Sequence, residues 1–106
     1  MSFVLITQNP NGSQAEYDAI REKIGLDSEN PELPQGMISH MAGPLDEGGW
    51  CVVTEWESKE DFQRFYENRL KPAMGGRGLG PAGPKWFQVY KRFGSTTTLP
   101  SMMRAA

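Results

Sequence analysis

His40 is the only histidine in a chain of 106 residues, and the residues that follow it are rich in aromatic rings. Trp50 and Trp56 bracket the next apolar run, and Phe62, Phe65 and Tyr66 recur at helical spacing beyond it, with Arg69 at the edge of the same stripe. A neutral imidazole walled by rings is suited to one kind of chemistry. It can act as a general base on a phenol or an acidic C–H, leaving a phenolate or carbanion able to pass an electron to dioxygen without metal or flavin. The rings would orient a flat hydrophobic molecule and exclude water, and a donor from Tyr66, Trp56 or Arg69 would stabilise developing negative charge on oxygen. His40 is therefore the candidate catalytic residue, and Trp50, Trp56, Tyr66, Phe62, Phe65 and Arg69 are the candidate substrate-binding residues. The plainer reading gives His40 a structural hydrogen bond to a backbone carbonyl or to Glu55, makes core of Phe62, Phe65 and the tryptophans, and leaves Arg69 in solvent.

Other chemistries lack support. Gly78 to Gly83 fits G-x-G-x-x-G, but it neither follows a strand nor opens a helix, and its prolines break the required turn, so dinucleotide binding is not expected. It reads as an inert loop, with a flexible lid as the alternative. No Cys or His cluster has metal-ligand spacing, and no Ser-His-Asp set is supported by spacing. Cys51 cannot form an internal disulfide and sits in an apolar run, as a buried inert thiol does.

Eleven basic and thirteen acidic residues give a net charge of −2 with no long block of either sign, so neither nucleic acid nor an anionic membrane is an expected partner. The N-terminal apolar run, Phe3 to Ile6, is too short for a signal or a membrane span. Together with the single thiol this points to a soluble, cytoplasmic protein.

The elements that must position these residues are readable from turn formers and periodicity. Phe3 to Gln8 is a strand ended by Asn9-Pro10-Asn11-Gly12. Ser13 and Glu16 form a capping box for a first helix carrying Tyr17, Ile20 and Ile24 and stopped by Gly25. Leu26 to Gln35 reads as a surface connection. Gly36 to Gly43 and Trp50 to Glu57 read as an antiparallel hairpin. If Gly43 faces Gly49, His40 lies opposite Val52, and Ile38, His40 and Ala42 share a face with Trp50, Val52, Thr54 and Trp56. Ser58 and Asp61 cap a second helix from Ser58 to Met74, which Pro72 should kink or end. A last strand spans Lys85 to Arg92. The expected domain is residues 1–93, with a tail, 94–106, disordered or laid on a partner subunit.

The order βαββαβ is that of a ferredoxin-like α+β fold, a four-stranded antiparallel sheet with both helices on one face. Apolar residues at both parities of Cys51 to Trp56 indicate a sheet covered on both faces. One chain has helices for one face only, so the other is expected to meet a second copy in a homodimer.

This order, HMAGP at residues 40–44, the W-x-V-x-x-x-W spacing of Trp50, Val52 and Trp56, and the WESKEDF run that opens the second helix resemble the dimeric α+β-barrel superfamily. The chain is most similar there to small antibiotic-biosynthesis-monooxygenase-like proteins, over residues 3 to 92. The resemblance implies a homodimer with sheets packed face to face, a cavity for a small hydrophobic ligand between sheet and helices, and no cofactor. It implies a monooxygenase-like activity on an aromatic or polyketide-like compound. A non-catalytic binding protein, a polyketide cyclase or isomerase, or a structural role for the chain and its tail are the alternatives. Heme-degrading members use an Asn ending strand one, a Trp on the sheet and an axial His on the second helix. Asn9 and Trp56 could take the first two places, but Ser58 to Met74 contains no histidine, so heme degradation is not expected.

Overall fold

A computed structural model describes residues 1–29, 31–76, 78–80 and 83–93. The expected tail lies outside the described residues, as does part of the glycine-rich loop. In chain order the elements are β1 (Phe3–Asn9), α1 (Gln14–Ile24), β2 (Met37–Pro44), β3 (Trp50–Trp56), α2 (Lys59–Phe65) and β4 (Lys85–Gln88). All four strands form one antiparallel sheet in the order β2-β3-β1-β4, the ferredoxin-like arrangement.

Local chemistry sets the helix ends. Ser13 Oγ accepts from the Glu16 N–H at 3.2 Å. At the far end Gly25, at φ 78°, allows its own N–H and that of Leu26 to reach the Glu22 and Arg21 carbonyls. Ser58 Oγ accepts from the Asp61 N–H and donates to its carboxylate, closing the start of α2.

The second helix is not uniform. After α2 it widens into a π-helical turn over Tyr66–Leu70, then resumes as a short α turn at Lys71–Ala73. The Lys71 N–H bonds the Tyr66 carbonyl five residues back, immediately before Pro72. Proline has no N–H and would press on the carbonyl four residues earlier. The wider turn upstream lets the helix continue past Pro72.

The hairpin register differs from the sequence expectation by two residues. Gly43 pairs with Cys51 and His40 with Thr54. The Leu45 N–H bonds the Gly49 carbonyl and the Gly48 N–H returns to Leu45, so the loop runs from Leu45 to Gly49, centred one residue later than the sequence expectation, with Gly48 and Gly49 both near φ 100°. A shift of two preserves facing, so His40, Ala42, Trp50, Val52 and Thr54 do share a face. Ile38 does not join them. A bulge between Met37 and Ser39 makes it the extra residue, 44% exposed, and Met37 takes the inner place opposite Trp56. The last strand is also shorter than Lys85 to Arg92. It pairs with β1, which begins at Phe3, and after the Val89 N–H bonds Ser2 it has no further partner.

The helices cover the face bearing Leu5, Thr54 and Trp56. The core comprises Leu5, Leu26, Met37, Trp56, Phe62 and Phe65, with Ile24, Tyr66, Leu70, Leu79 and Trp86 packed around it. Trp56 is fully buried, edge-on to Phe62 at 5.5 Å and tilted against Phe65 at 5.6 Å. Among the described residues no helix is long and apolar enough to cross a membrane.

The opposite face carries Val4, Ile6, Val53, Met41 and Phe87, the last two 64% and 51% exposed. Glu55 also lies there, buried, accepting from Ser2 Oγ at 2.5 Å and paired with Arg92. Burial pushes its carboxyl up, but those hydrogen bonds and the guanidinium charge outweigh it and hold the group below the ordinary carboxylate range.

Because Trp56 joins α2 to the sheet through two ring contacts at full burial, Trp56→Ala is expected to cost about 3–5 kcal/mol. Urea unfolding followed by circular dichroism checks this; a midpoint within error of wild type would contradict the assignment of Trp56 as the central core residue.

Candidate functional site

Between the covered face and the helices lies a cavity of about 220 Å³. Its floor is apolar, made by Leu5, Met37, Phe62 and Phe65. Toward the β2 edge it becomes polar, where His40, Tyr17 and Trp50 meet. Asn9 and Thr7 border it from β1, and Leu79, from the described part of the glycine-rich loop, packs across it.

His40 stands on the edge strand at the mouth, with part of its ring in solvent and part facing the cavity. The Tyr17 hydroxyl is hydrogen-bonded to His40 Nε2, tying α1 to β2 across the opening. The two rings are 5.9 Å apart, and Tyr17 also lies 5.3 Å from the Trp50 ring. Tyr17 is thus the hinge of a three-ring cluster.

Electrostatics set the protonation states. Partial burial, and secondly the positive charge of Arg21, push the His40 imidazole below its ordinary 6.5. Burial raises the Tyr17 hydroxyl above 10.0; Arg21 works against this and Asp18 with it. Around neutral pH the pair is therefore a neutral imidazole and a neutral phenol. Arg21 is fixed by its own bonds, from Nε to the Leu26 carbonyl at 3.0 Å and to Asp18 at 3.4 Å.

Of the seven residues singled out in the sequence, four border the cavity: His40, Trp50, Phe62 and Phe65. Trp56 lies behind the wall, its indole N–H donating to Thr54 Oγ1 at 2.8 Å. Tyr66 stacks on Phe62 at 5.8 Å, and Arg69 bonds the Ile24 carbonyl while lying 5.7 Å over Phe65, so both stand behind cavity-lining rings and neither borders the cavity itself. Glu55 is not a partner of His40, because adjacent residues on β3 face opposite sides and Glu55 belongs to the outer one.

Tyr17 and Thr54 were not among the sequence candidates. The signal for Tyr17 was present, a residue with a polar tip on the apolar stripe of the first helix, but its pairing with a strand 23 residues away needs the tertiary fold. Thr54 is 7% exposed and sits directly across the strand pair from His40.

As the chain has one histidine, its ring resonances report His40 alone. An NMR titration is expected to place its midpoint below 6.5, and Arg21→Gln to raise it without restoring 6.5, because burial is the larger cause. The unfolded chain then binds the proton more readily, so His40's contribution to stability is present above about 6.5 and is lost as pH falls through the folded-state value. A wild-type midpoint at or above 6.5 would overturn this electrostatic account.

No family model matches the chain, and no curated protein does. Among solved structures it is similar to a crystal structure of a mutant of MhuD with two manganese protoporphyrin IX molecules bound per active site. The TM-score is 0.54 at 22% identity, covering 89% of this chain and 99% of that one. At that identity the likeness establishes the fold, which is the ferredoxin-like α+β architecture read from the strand order.

Proposed function

We propose that this protein is a small monooxygenase-like enzyme acting on a flat, hydrophobic aromatic or polyketide-like compound, with His40 as general base working through Tyr17. The observation that carries this reading is the hydrogen-bonded Tyr17–His40 pair at the mouth of a cavity with an apolar floor. With Nε2 engaged by Tyr17, the shortest proton path is a relay. The Tyr17 oxygen takes the substrate proton as its own passes to Nε2. The pKa directions support it, since a neutral imidazole can accept and a neutral phenol can donate.

The substrate carbanion, an enolate where a carbonyl is adjacent, then reduces dioxygen. One oxygen atom enters the carbon and the other leaves as water with the two hydrogens the carbon has lost, so the substrate supplies all the electrons. The rings of Phe62 and Phe65 hold the reacting plane and keep water from the carbanion.

The porphyrins of the MhuD structure do not transfer readily. A cavity near 220 Å³ is smaller than the roughly 300–1,000 Å³ of sites for drug-sized ligands. A compound of two or three fused rings is the better match.

We also propose that two copies pair through the outer sheet face. Met41 and Phe87 are exposed there beside Val4, Ile6 and Val53. Glu55, a carboxylate on that face, is already bonded by Ser2 and Arg92, so covering it leaves that charge paired.

Oxygen uptake with anthrone- and naphthol-type substrates tests the activity. His40→Ala is expected to abolish turnover and Tyr17→Phe to slow it about 100-fold. Wild type that binds such compounds without consuming oxygen would establish a binding protein instead. For the pairing, light scattering at micromolar concentration should give twice the mass of one chain, and Met41→Glu should give the single-chain mass. A monodisperse wild-type monomer would refute it.

A further inference from the structure

The two helices are held to the sheet in different ways. α2 buries Phe62 and Phe65 in the core, whereas no residue of α1 is fully buried. The apolar stripe of α1, formed by Tyr17, Ile20 and Ile24, is only half-buried. Tyr17 and Ile20 border the cavity, as do Ser13 and Glu16, so the first two turns of α1 face open volume instead of packed side chains.

The attachments of α1 lie at its ends and at Tyr17. Before the helix, the Gly12 N–H closes a turn on the Asn9 carbonyl at 3.0 Å, and Gly12 sits so close to β3 that an added Cβ would stand 2.9 Å from that of Trp50. After the helix, Leu26 is buried in the core and Arg69 bonds the Ile24 carbonyl. Between these pins, the Tyr17 hydroxyl is hydrogen-bonded to His40 Nε2 and its ring lies 5.3 Å from that of Trp50. A segment with few buried apolar contacts opens more readily than the core it covers.

We propose that α1 is the gate of the cavity, swinging on its pinned ends, and that the Tyr17–His40 bond is its latch. With the bond broken, Tyr17 and Ile20 leave the mouth and a flat molecule can pass between α1 and the β2 edge. With it formed, the mouth is closed to water. α1 has eleven residues, too few to hold a helix in water without support, so each opening also exposes its amides. For the relay proposed above, the gate sets an order of events. The bond that closes the cavity is the one that passes the proton, so the base is assembled only once the substrate is enclosed. That ordering rests on the proposed activity, whereas the gate rests only on how α1 is held.

Amide hydrogen exchange of the full chain, followed on peptides covering residues 14–24 and 59–65, tests the gate without any ligand. Wild-type α1 is expected to exchange at least tenfold faster than α2, as separate opening of α1 requires. Tyr17→Phe and His40→Ala should each speed α1 roughly twofold to tenfold, the range allowed for one partly exposed hydrogen bond, and leave α2 unchanged. Because both remove the same bond, the double variant should be no faster than either alone, and if one variant does not fold the other decides. Stopped-flow mixing with 2-naphthol should show association with Tyr17→Phe faster by a similar factor. Equal exchange of α1 and α2 in wild type, variants that speed both helices alike, or variants that leave α1 unchanged overturn the gate without touching the proposed activity. The expected exchange pattern without oxygen uptake by wild type overturns the ordering of catalysis and leaves the gate.

Discussion

The indole of Trp56 is the point on which both halves of the molecule depend. Its ring fills the centre of the core against Phe62 and Phe65, and its N–H reaches Thr54 on the cavity wall. A fully buried indole must place its N–H against an acceptor, and a strand offers one two residues away on the same face. Packing α2 onto the sheet therefore also sets the orientation of a hydroxyl beside His40. The stability of the fold and the polarity of the cavity are coupled through one side chain.

The architecture was readable because each element carries its own local signal. Ser13 and Ser58 cap the helices, Gly25 stops one, and the apolar stripe at Phe62 and Phe65 faces the sheet, as spacing alone implies. What was not readable was set at a distance or by small backbone adjustments. The hairpin register depends on which glycines take left-handed φ, and with Gly48 and Gly49 there the turn is centred one residue later, which shifts the pairing by two. The bulge that ejects Ile38 and admits Met37 leaves no periodic trace. The shortened β4 follows from where its partner begins, information that lies at the other end of the chain.

The site divides along the same line. His40, Trp50, Phe62 and Phe65 border the cavity because facing on a strand and a helix is a local property, and it survived an error of two in register. Tyr66 and Arg69 sit on the same helix, yet their bonds go to Phe62 and to the end of α1. The widened turn that begins at Tyr66 changes the angular spacing beyond Phe65, so a stripe extrapolated at the α-helical period loses its aim there. Pro72, already visible as a breaker, was the cause, but its effect falls upstream of the proline.

Placing the histidine on an edge strand has a consequence for how it can work. An imidazole at the mouth is partly solvated, so burial alone cannot tune it far, and the second influence, Arg21, comes from α1. The same helix supplies Tyr17, which bonds Nε2 and reaches over the cavity. Both a part of the imidazole's pKa shift and its hydrogen-bond partner therefore come from one helix, anchored at its C-terminal end where Arg21 bonds the Leu26 carbonyl and Arg69 bonds that of Ile24. A small rotation of α1 would move Tyr17 and Arg21 together relative to His40. The C-terminal end of α1 is thus part of what holds His40 in its neutral form, and the glycine that terminates the helix there bears on the cavity mouth as well as on the fold.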